Sequence, residues 1–421
     1  MRRELGFDAV VIGAGVAGLV AAVRLAQAGA RVCVVAKGVG CTHLAPATID
    51  VLGYLHGERV DEPLAALTRL APDHPYALLG ADAVSEALRW FSGTVDAGPL
   101  PGYRYVGTPG RNVLLPTALG ALRPSALVPA TMAAGDASGL RSVAVIGSRA
   151  LRDFHASLCA ANLHAAGVDA RAVETELESD LADANLLGVA RRFDDAEWRS
   201  RFCARLSPLL GDSEHVGLPA MLGLRDPCDA HVDVERRLGR RVFEIPTLPP
   251  SVPGMRLYEI LAGALRAAGG RLVLGGEVVA ARRDGDGRVL AVATGAAGHE
   301  RWWAAPGFVL ASGGFGSGAI ALDSRGAVSE RVLGLALSGV PAEGEAVRFA
   351  GGYFDEQPLA RAGVAVDAQL RAVGAENVVV AGASLPGAIP WREGCGEGVA
   401  LASGWRAAEV LAPAAGAEAA A

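Results

Sequence analysis

The residues best placed to do chemistry in this 421-residue chain are glycines. Val10-Val11-Ile12-Gly13-Ala14-Gly15-Val16-Ala17-Gly18 has the G-x-G-x-x-G spacing. Gly13 allows a tight turn, Gly15 lets a phosphate approach the backbone, and Gly18 lets a helix pack against a strand. The helix that opens there offers unpaired N–H groups and a positive dipole end to an anion. A second site is Phe308-Val309-Leu310-Ala311 running into Ser312-Gly313-Gly314-Phe315-Gly316, where small residues let the backbone lie against a flat or phosphorylated ligand or make a tight sheet contact. A third is Val378-Val379-Val380-Ala381-Gly382, followed by Gly394-Cys395-Gly396-Glu397-Gly398 at the start of the last helix. A helix N-terminus there can stabilise negative charge on an electron-rich ring. The first follows a strand, opens a helix and is succeeded by a second strand, which favours phosphate binding over a packing turn; the second alone is equally a packing turn, and the joint presence of the three is what points to one phosphorylated ligand.

An acidic residue usually ends the second strand of such a unit and holds the adenosine ribose. Ala36 stands there instead, followed by Lys37. Recognition of an adenosine half is weakened, and Lys37 is either a solvated strand end or a site for a further anion. A flavin mononucleotide, with a terminal phosphate and no adenosine, does not need the missing carboxylate. FMN therefore fits the site without that group, and FAD is the alternative.

The elements that must position these turns follow from periodicity. Ala9 to Ile12, a helix through Leu25 and Arg31 to Ala36 form a strand, turn, helix, strand unit. From Gly38 to about Gly110 dense punctuation predicts irregular connections with helices around Leu64 to Leu70 and Asp82 to Phe91. A separate alternation of strands (Val143 to Ile146, Val168 to Val173, Val216 to Leu224, Val242 to Ile245) with helices, holding the acidic stretch Glu174 to Asp183, predicts an inserted α/β domain. After Pro246 to Pro253 come a helix to Ala267, strands, and the second and third glycine sites. The expected fold is α/β and Rossmann-like, and the flavoprotein resemblance set out below implies the two-dinucleotide-binding-domain type. Residues 1–110 and 246–412 form its discontinuous flavin domain, 111–245 the insert, and 413–421 a flexible alanine-rich tail.

Composition bounds the function. Apolar residues make up 51% of the chain and charged ones 20%, enough for a large core and too apolar for disorder. With 39 basic and 45 acidic residues, a net charge of −6 and no Lys/Arg run, the electrostatic footprint of nucleic-acid binding is missing. Six scattered cysteines without a C-x-x-C predict no metal or iron-sulfur site, no disulfide framework and a reducing, cytoplasmic setting. No uncharged apolar run reaches the length of a membrane span, and the apolar start, broken by Gly13, Gly15 and Gly18, is not a signal peptide.

The arrangement resembles the fumarate reductase and succinate dehydrogenase type of flavoprotein, and in detail the family of anaerobic glycerol-3-phosphate dehydrogenase B subunits. The segments that carry the resemblance are Cys41-Thr42-His43 with Ile49-Asp50-Val51-Leu52, His74-Pro75-Tyr76-Ala77-Leu78-Leu79-Gly80, Pro246-Thr247-Leu248-Pro249-Pro250-Ser251 to Gly254-Met255-Arg256-Leu257, Ala311 to Phe315, and Gly394-Cys395-Gly396. The resemblance spans about residues 7–411. It implies FMN and two partner subunits, one catalytic and one an iron-sulfur protein attached to the membrane. Together these would oxidise glycerol 3-phosphate to dihydroxyacetone phosphate and send electrons to quinone, with this chain at the cytoplasmic face of the inner membrane through its partners. Ser384 stands where many flavoproteins carry an acid that holds the ribityl chain.

Oxidation of a secondary alcohol needs a base at the C–OH and cations for the phosphate. His43 and Arg256 follow the second strand and the proline-rich turn, places that approach the flavin in this type of fold, and are the catalytic candidates. Arg104, Arg111 and Arg123 are candidates for the phosphate. Each has a plainer reading: His43 as a local backbone cap, Arg256 in an ion pair, the loop arginines in solvent. His74 before Pro75 is expected to order a turn. Cys395 sits at a helix start where an exposed thiol would have a depressed pKa, although close packing also explains a small residue there. The cofactor candidates are thus Gly13, Gly15, Gly18, Lys37, Ser312, Gly313, Gly314, Gly382, Ser384, Gly394, Cys395, Gly396 and Gly398. Two other readings stay open: a non-catalytic scaffold or electron conduit with a degenerate flavin site, and a stand-alone flavin dehydrogenase for another hydroxy compound.

Overall fold

The computed structural model describes residues 5–177, 185–296, 299–341, 349–352 and 355–417. The chain divides into two compact units, one of Met1–Cys41, Leu64–Phe91 and Leu261–Ala421, the other of Thr42–Pro63 and Ser92–Ile260.

The first unit is built on a six-stranded sheet in the order Arg271–Leu274, Val32–Ala36, Ala9–Ile12, Gly307–Leu310, Ala375–Val380, Arg371–Ala372. Its pairings are parallel except at the last, antiparallel edge. Ala9–Ile12 and Val32–Ala36 are apolar without alternation because both faces of a parallel sheet are covered. Ile12 pairs with Leu310 and Leu310 with Val380, so three strands release their chains side by side at the carboxyl edge. Helix Val16–Gln27 starts directly after Gly15, and helix Gly396–Ala417 packs on it so closely that a Cβ on Gly404 would stand 2.3 Å from the Ala17 carbonyl oxygen. A second, four-stranded sheet (Leu5–Gly6, His299–Ala304, Val289–Ala296, Glu277–Arg283) buries Trp303, whose indole N–H donates to Thr294 Oγ1 at 2.9 Å.

The second unit carries an all-parallel sheet in the order Ala170–Glu174, Val143–Gly147, His215–Pro219, Arg241–Ile245. Alternate residues of one strand enter two cores. Ala144 and Ile146 join Phe193, Trp198 and Phe202 from helices Leu186–Phe193 and Ala196–Leu206. Val143 and Val145 join Cys159 and Leu163 from helix Ala156–Ala165. The sheet is wound on both faces, as the strand and helix alternation predicts.

The units do not follow the expected domain boundaries. Residues 42–63, 92–110 and 246–260 fall in the second unit instead of the flavin domain. Ile49 bridges Leu127, and the Asn112 side-chain amide donates to the carbonyls of Leu52 and Val60, tying the early segment to the later one. The last helix continues to Ala417, past the point where a flexible tail was expected to begin. Most of the acidic stretch Glu174 to Asp183 lies outside the described residues.

Candidate cofactor site

At the carboxyl edge of the six-stranded sheet the glycines of the first turn do different jobs. Gly13 takes φ +113°, and a Cβ there would meet the Ala311 carbonyl oxygen at 2.1 Å. A Cβ on Gly18 would meet the Gly13 carbonyl oxygen at 2.0 Å. Both are demanded by backbone packing. Gly15 is not: no described atom stands within 4 Å of where its Cβ would project. Gly40, in the connection after the second strand, presses on the same turn, since its Cβ would lie 2.9 Å from Gly15 Cα. In the sequence it lies within an irregular connection, and its only signal there is the pair of glycines, Gly38 and Gly40.

The second and third sites are laced together beside the first. Ser384 Oγ accepts from the Gly313 N–H at 3.1 Å and donates to the Gly313 carbonyl at 3.0 Å. A Cβ on Gly314 would stand 2.7 Å from the Ala383 carbonyl oxygen. The Gly382 N–H donates to Ser403 Oγ at 2.8 Å, and its missing Cβ makes room for Ala17. Ser312 Oγ is buried and finds no hydrogen-bond partner among the described residues. Gly394, left-handed at φ +58°, ends the helical turn Pro390–Glu393, and Gly396 opens the final helix with Gly398 buried in its first turn. Seven residues separate Gly396 from Ser403, about 10 Å of helix. The buried, unanswered hydroxyl of Ser312 and the open space before Gly15 are the features a phosphorylated, flat ligand would complete, so the residues present fit a flavin.

Lys37 lies apart from this lacing. Its ammonium is exposed and pairs with Glu277 at 3.4 Å. Ser384 spends its hydroxyl on Gly313, so its observed task is to hold the second turn. Cys395 is buried, and its thiol donates to Glu393 Oε2 at 3.4 Å. Burial alone would raise the Glu393 pKa, but hydrogen bonds from His74 and the Ile389 N–H hold it below the usual carboxylate range.

In the second unit, His43 meets Tyr258 edge-on with ring centroids 5.0 Å apart. Its Nε2 is buried with no partner among the described residues, and burial lowers its pKa. Arg256 is elsewhere engaged. It is fully buried, its Nε donates to the Gly223 carbonyl at 2.9 Å, and its two terminal nitrogens clasp Glu244 at 2.6 and 2.9 Å. Burial opposes both charges, and their mutual attraction prevails, raising the Arg256 pKa and lowering that of Glu244. The guanidinium has no exposed face to offer a substrate, and the ion-pair reading of Arg256 is the one its geometry matches. Of the loop arginines, Arg104 and Arg111 are exposed, while Arg123 Nε bonds Asp50 Oδ2 at 2.6 Å.

A model of the FAD binding domain family matches residues 8–399. The probable anaerobic glycerol-3-phosphate dehydrogenase B subunits of two Halobacterium salinarum strains are each 34% identical over 97% of this chain and 98% of their own length. Their counterpart in Yersinia enterocolitica is 31% identical over 96% and 98%. The chain belongs to the family of anaerobic glycerol-3-phosphate dehydrogenase B subunits. Its fold is accordingly that of a flavin-binding α/β protein, and the family name makes each relative one subunit of a larger enzyme. Among solved structures, the open form of a flavocytochrome c3 fumarate reductase aligns over 98% of this chain and 79% of its own at 11% identity and TM-score 0.47, too loose to bear on chemistry. Among the described residues of this family member, no helix is long and apolar enough to cross a membrane.

Proposed function

We propose that this chain is the flavin-carrying subunit of a quinone-linked anaerobic glycerol-3-phosphate dehydrogenase. It would work with two partner subunits, one catalytic and one an iron-sulfur protein attached to the membrane, at the cytoplasmic face of the inner membrane. The observation that carries the reading is the convergence of three glycine-rich turns at one sheet edge, with open space at Gly15 and an unanswered hydroxyl at Ser312. The backbone N–H groups after Gly15 would take the phosphate, and the turns at Ser312-Gly313-Gly314 and Gly394-Cys395-Gly396 would flank the ring. A bound flavin supplies acceptance of a hydride and onward release of electrons. FMN is the preferred flavin, because Ala36 offers no carboxylate and the nearby Glu277 is already paired with Lys37. His43 is the candidate acceptor for the proton of the glycerol 3-phosphate hydroxyl, since its Nε2, without a partner among the described residues, and its lowered pKa suit a base.

Purified protein is expected to be yellow and to release FMN, identified by mass. Release of FAD corrects the cofactor alone, whereas a colourless protein that takes up no flavin overturns the reading. A scaffold or conduit role is favoured by one observation, the engagement of Ser384 with backbone in place of a ligand. Replacing Gly15 by Val separates the two: assembly without turnover supports a working cofactor, and unchanged turnover supports the scaffold.

A further inference from the structure

One largely buried cluster in the first unit joins His74 to Glu393, 319 positions apart, and reaches the turn that would flank the ring. His74 caps helix Pro75–Leu79, its Nδ1 accepting the Tyr76 N–H at 3.1 Å. With that lone pair occupied, the ring hydrogen belongs on Nε2, which donates to Glu393 Oε2 at 3.2 Å. The same oxygen accepts the Ile389 N–H at 2.9 Å and the Cys395 thiol at 3.4 Å. An Arg361 nitrogen lies 3.7 Å from Oε1. The carboxylate therefore grips its own turn at both ends, before Pro390 and after Gly394, and fastens it to the distant His74.

The ligand atoms of His74, Glu393 and Cys395 lie within 4.8 Å of one another, a spacing that a metal ion could span. The hydrogen bonding opposes it. A ligating Nε2 would move the ring hydrogen to Nδ1, facing the Tyr76 N–H, and Arg361 already brings a cation to the carboxylate. The group is a hydrogen-bond clamp.

We infer that Glu393 is a positioning residue for the flavin, clamped by His74 and Cys395 so that the Gly394-Cys395-Gly396 turn holds the start of the last helix in one shape beside the ring. This rests on the flavin reading above. A half-buried carboxylate beside that ring would also disfavour extra negative charge on it, so its removal should make the flavin easier to reduce.

The test uses the full chain with FMN and compares the natural protein with Glu393→Gln and Glu393→Ala. Midpoint potential, flavin dissociation constant and thermal unfolding are measured for each. Glu393→Gln keeps the shape and is expected to retain flavin with a more positive potential. Glu393→Ala is expected to weaken flavin binding about tenfold or more, the loss of a set of hydrogen bonds to a charge. If the natural chain binds flavin and Glu393→Gln matches it in potential while the affinity of any folded Glu393→Ala is unchanged, the positioning role is overturned and the flavin reading stands. Should Glu393→Ala fail to fold, the potential of Glu393→Gln decides. If the natural chain takes up no flavin, both are overturned.

Discussion

Ser384 and Gly313 exchange two hydrogen bonds through a single hydroxyl, which accepts the glycine's N–H and donates to its carbonyl. This one contact replaces a sheet-like pair and locks two turns separated by 71 residues. Ser384→Ala removes both bonds and leaves two half-buried backbone groups of Gly313 without that partner. The loss is expected to be about 2–3 kcal/mol in unfolding free energy, with faster flavin release; denaturant unfolding and flavin retained on gel filtration check it.

Gly13 and Gly15 should respond oppositely to alanine. At Gly13 the new Cβ would stand 2.1 Å from a carbonyl oxygen in a left-handed backbone, so Gly13→Ala is expected to destabilise by about 3 kcal/mol or more, or to prevent folding. At Gly15 the Cβ enters open space, so Gly15→Ala is expected to unfold within about 0.5–1 kcal/mol of the natural protein. It should nevertheless lose flavin affinity, as read by fluorescence titration. Equal stability losses at the two positions would contradict the assignment.

Breaking the Glu244–Arg256 pair from one side strands a buried charge. Arg256→Ala is expected to cost about 3–5 kcal/mol, and Arg256→Met combined with Glu244→Leu far less. Unfolding free energies of the single and double variants distinguish this from a role at a reacting centre, where the double variant would fold yet lose all turnover.

Asp233 accepts from Arg199, Arg236 and Arg237. Burial alone would raise its pKa, but these bonds hold it at about 2. A carboxylate whose pKa is lower folded than unfolded stabilises above its unfolded value and loses that contribution as pH falls toward the folded one. Unfolding followed from about pH 4 down to about pH 2 should show this loss in the natural protein, and Asp233→Asn should flatten the slope in that window.

The first glycine turn was legible because its logic is local: strand, turn and helix are contiguous, and the spacing puts Gly13 and Gly18 where backbone packs closely. The central strands of the second unit, Val143–Gly147 and His215–Pro219, were legible as near-continuous apolar runs, whereas the edge strands Ala170–Glu174 and Arg241–Ile245 carry charged residues. What was not legible depends on contacts across long separations. Nothing near Ile49 announces Leu127, and that bridge, with Asn112, moves residues 42–63 into the second unit. Arg256 could be suspected of an ion pair, but only the fold supplies Glu244. His74 was readable as ordering a turn, yet its bond to Glu393 required the two ends of the first unit to meet.

The cysteines also define what can be attached to this molecule. Cys33, Cys159, Cys203 and Cys395 are enclosed and Cys228 is half-covered, while burial pushes the thiols of Cys33 and Cys159 up to about 12. Cys41 alone stands open, one residue before the second unit begins. A maleimide dye or spin label added without mutagenesis would therefore settle where the chain leaves the first unit, giving a native reporter at that crossing point.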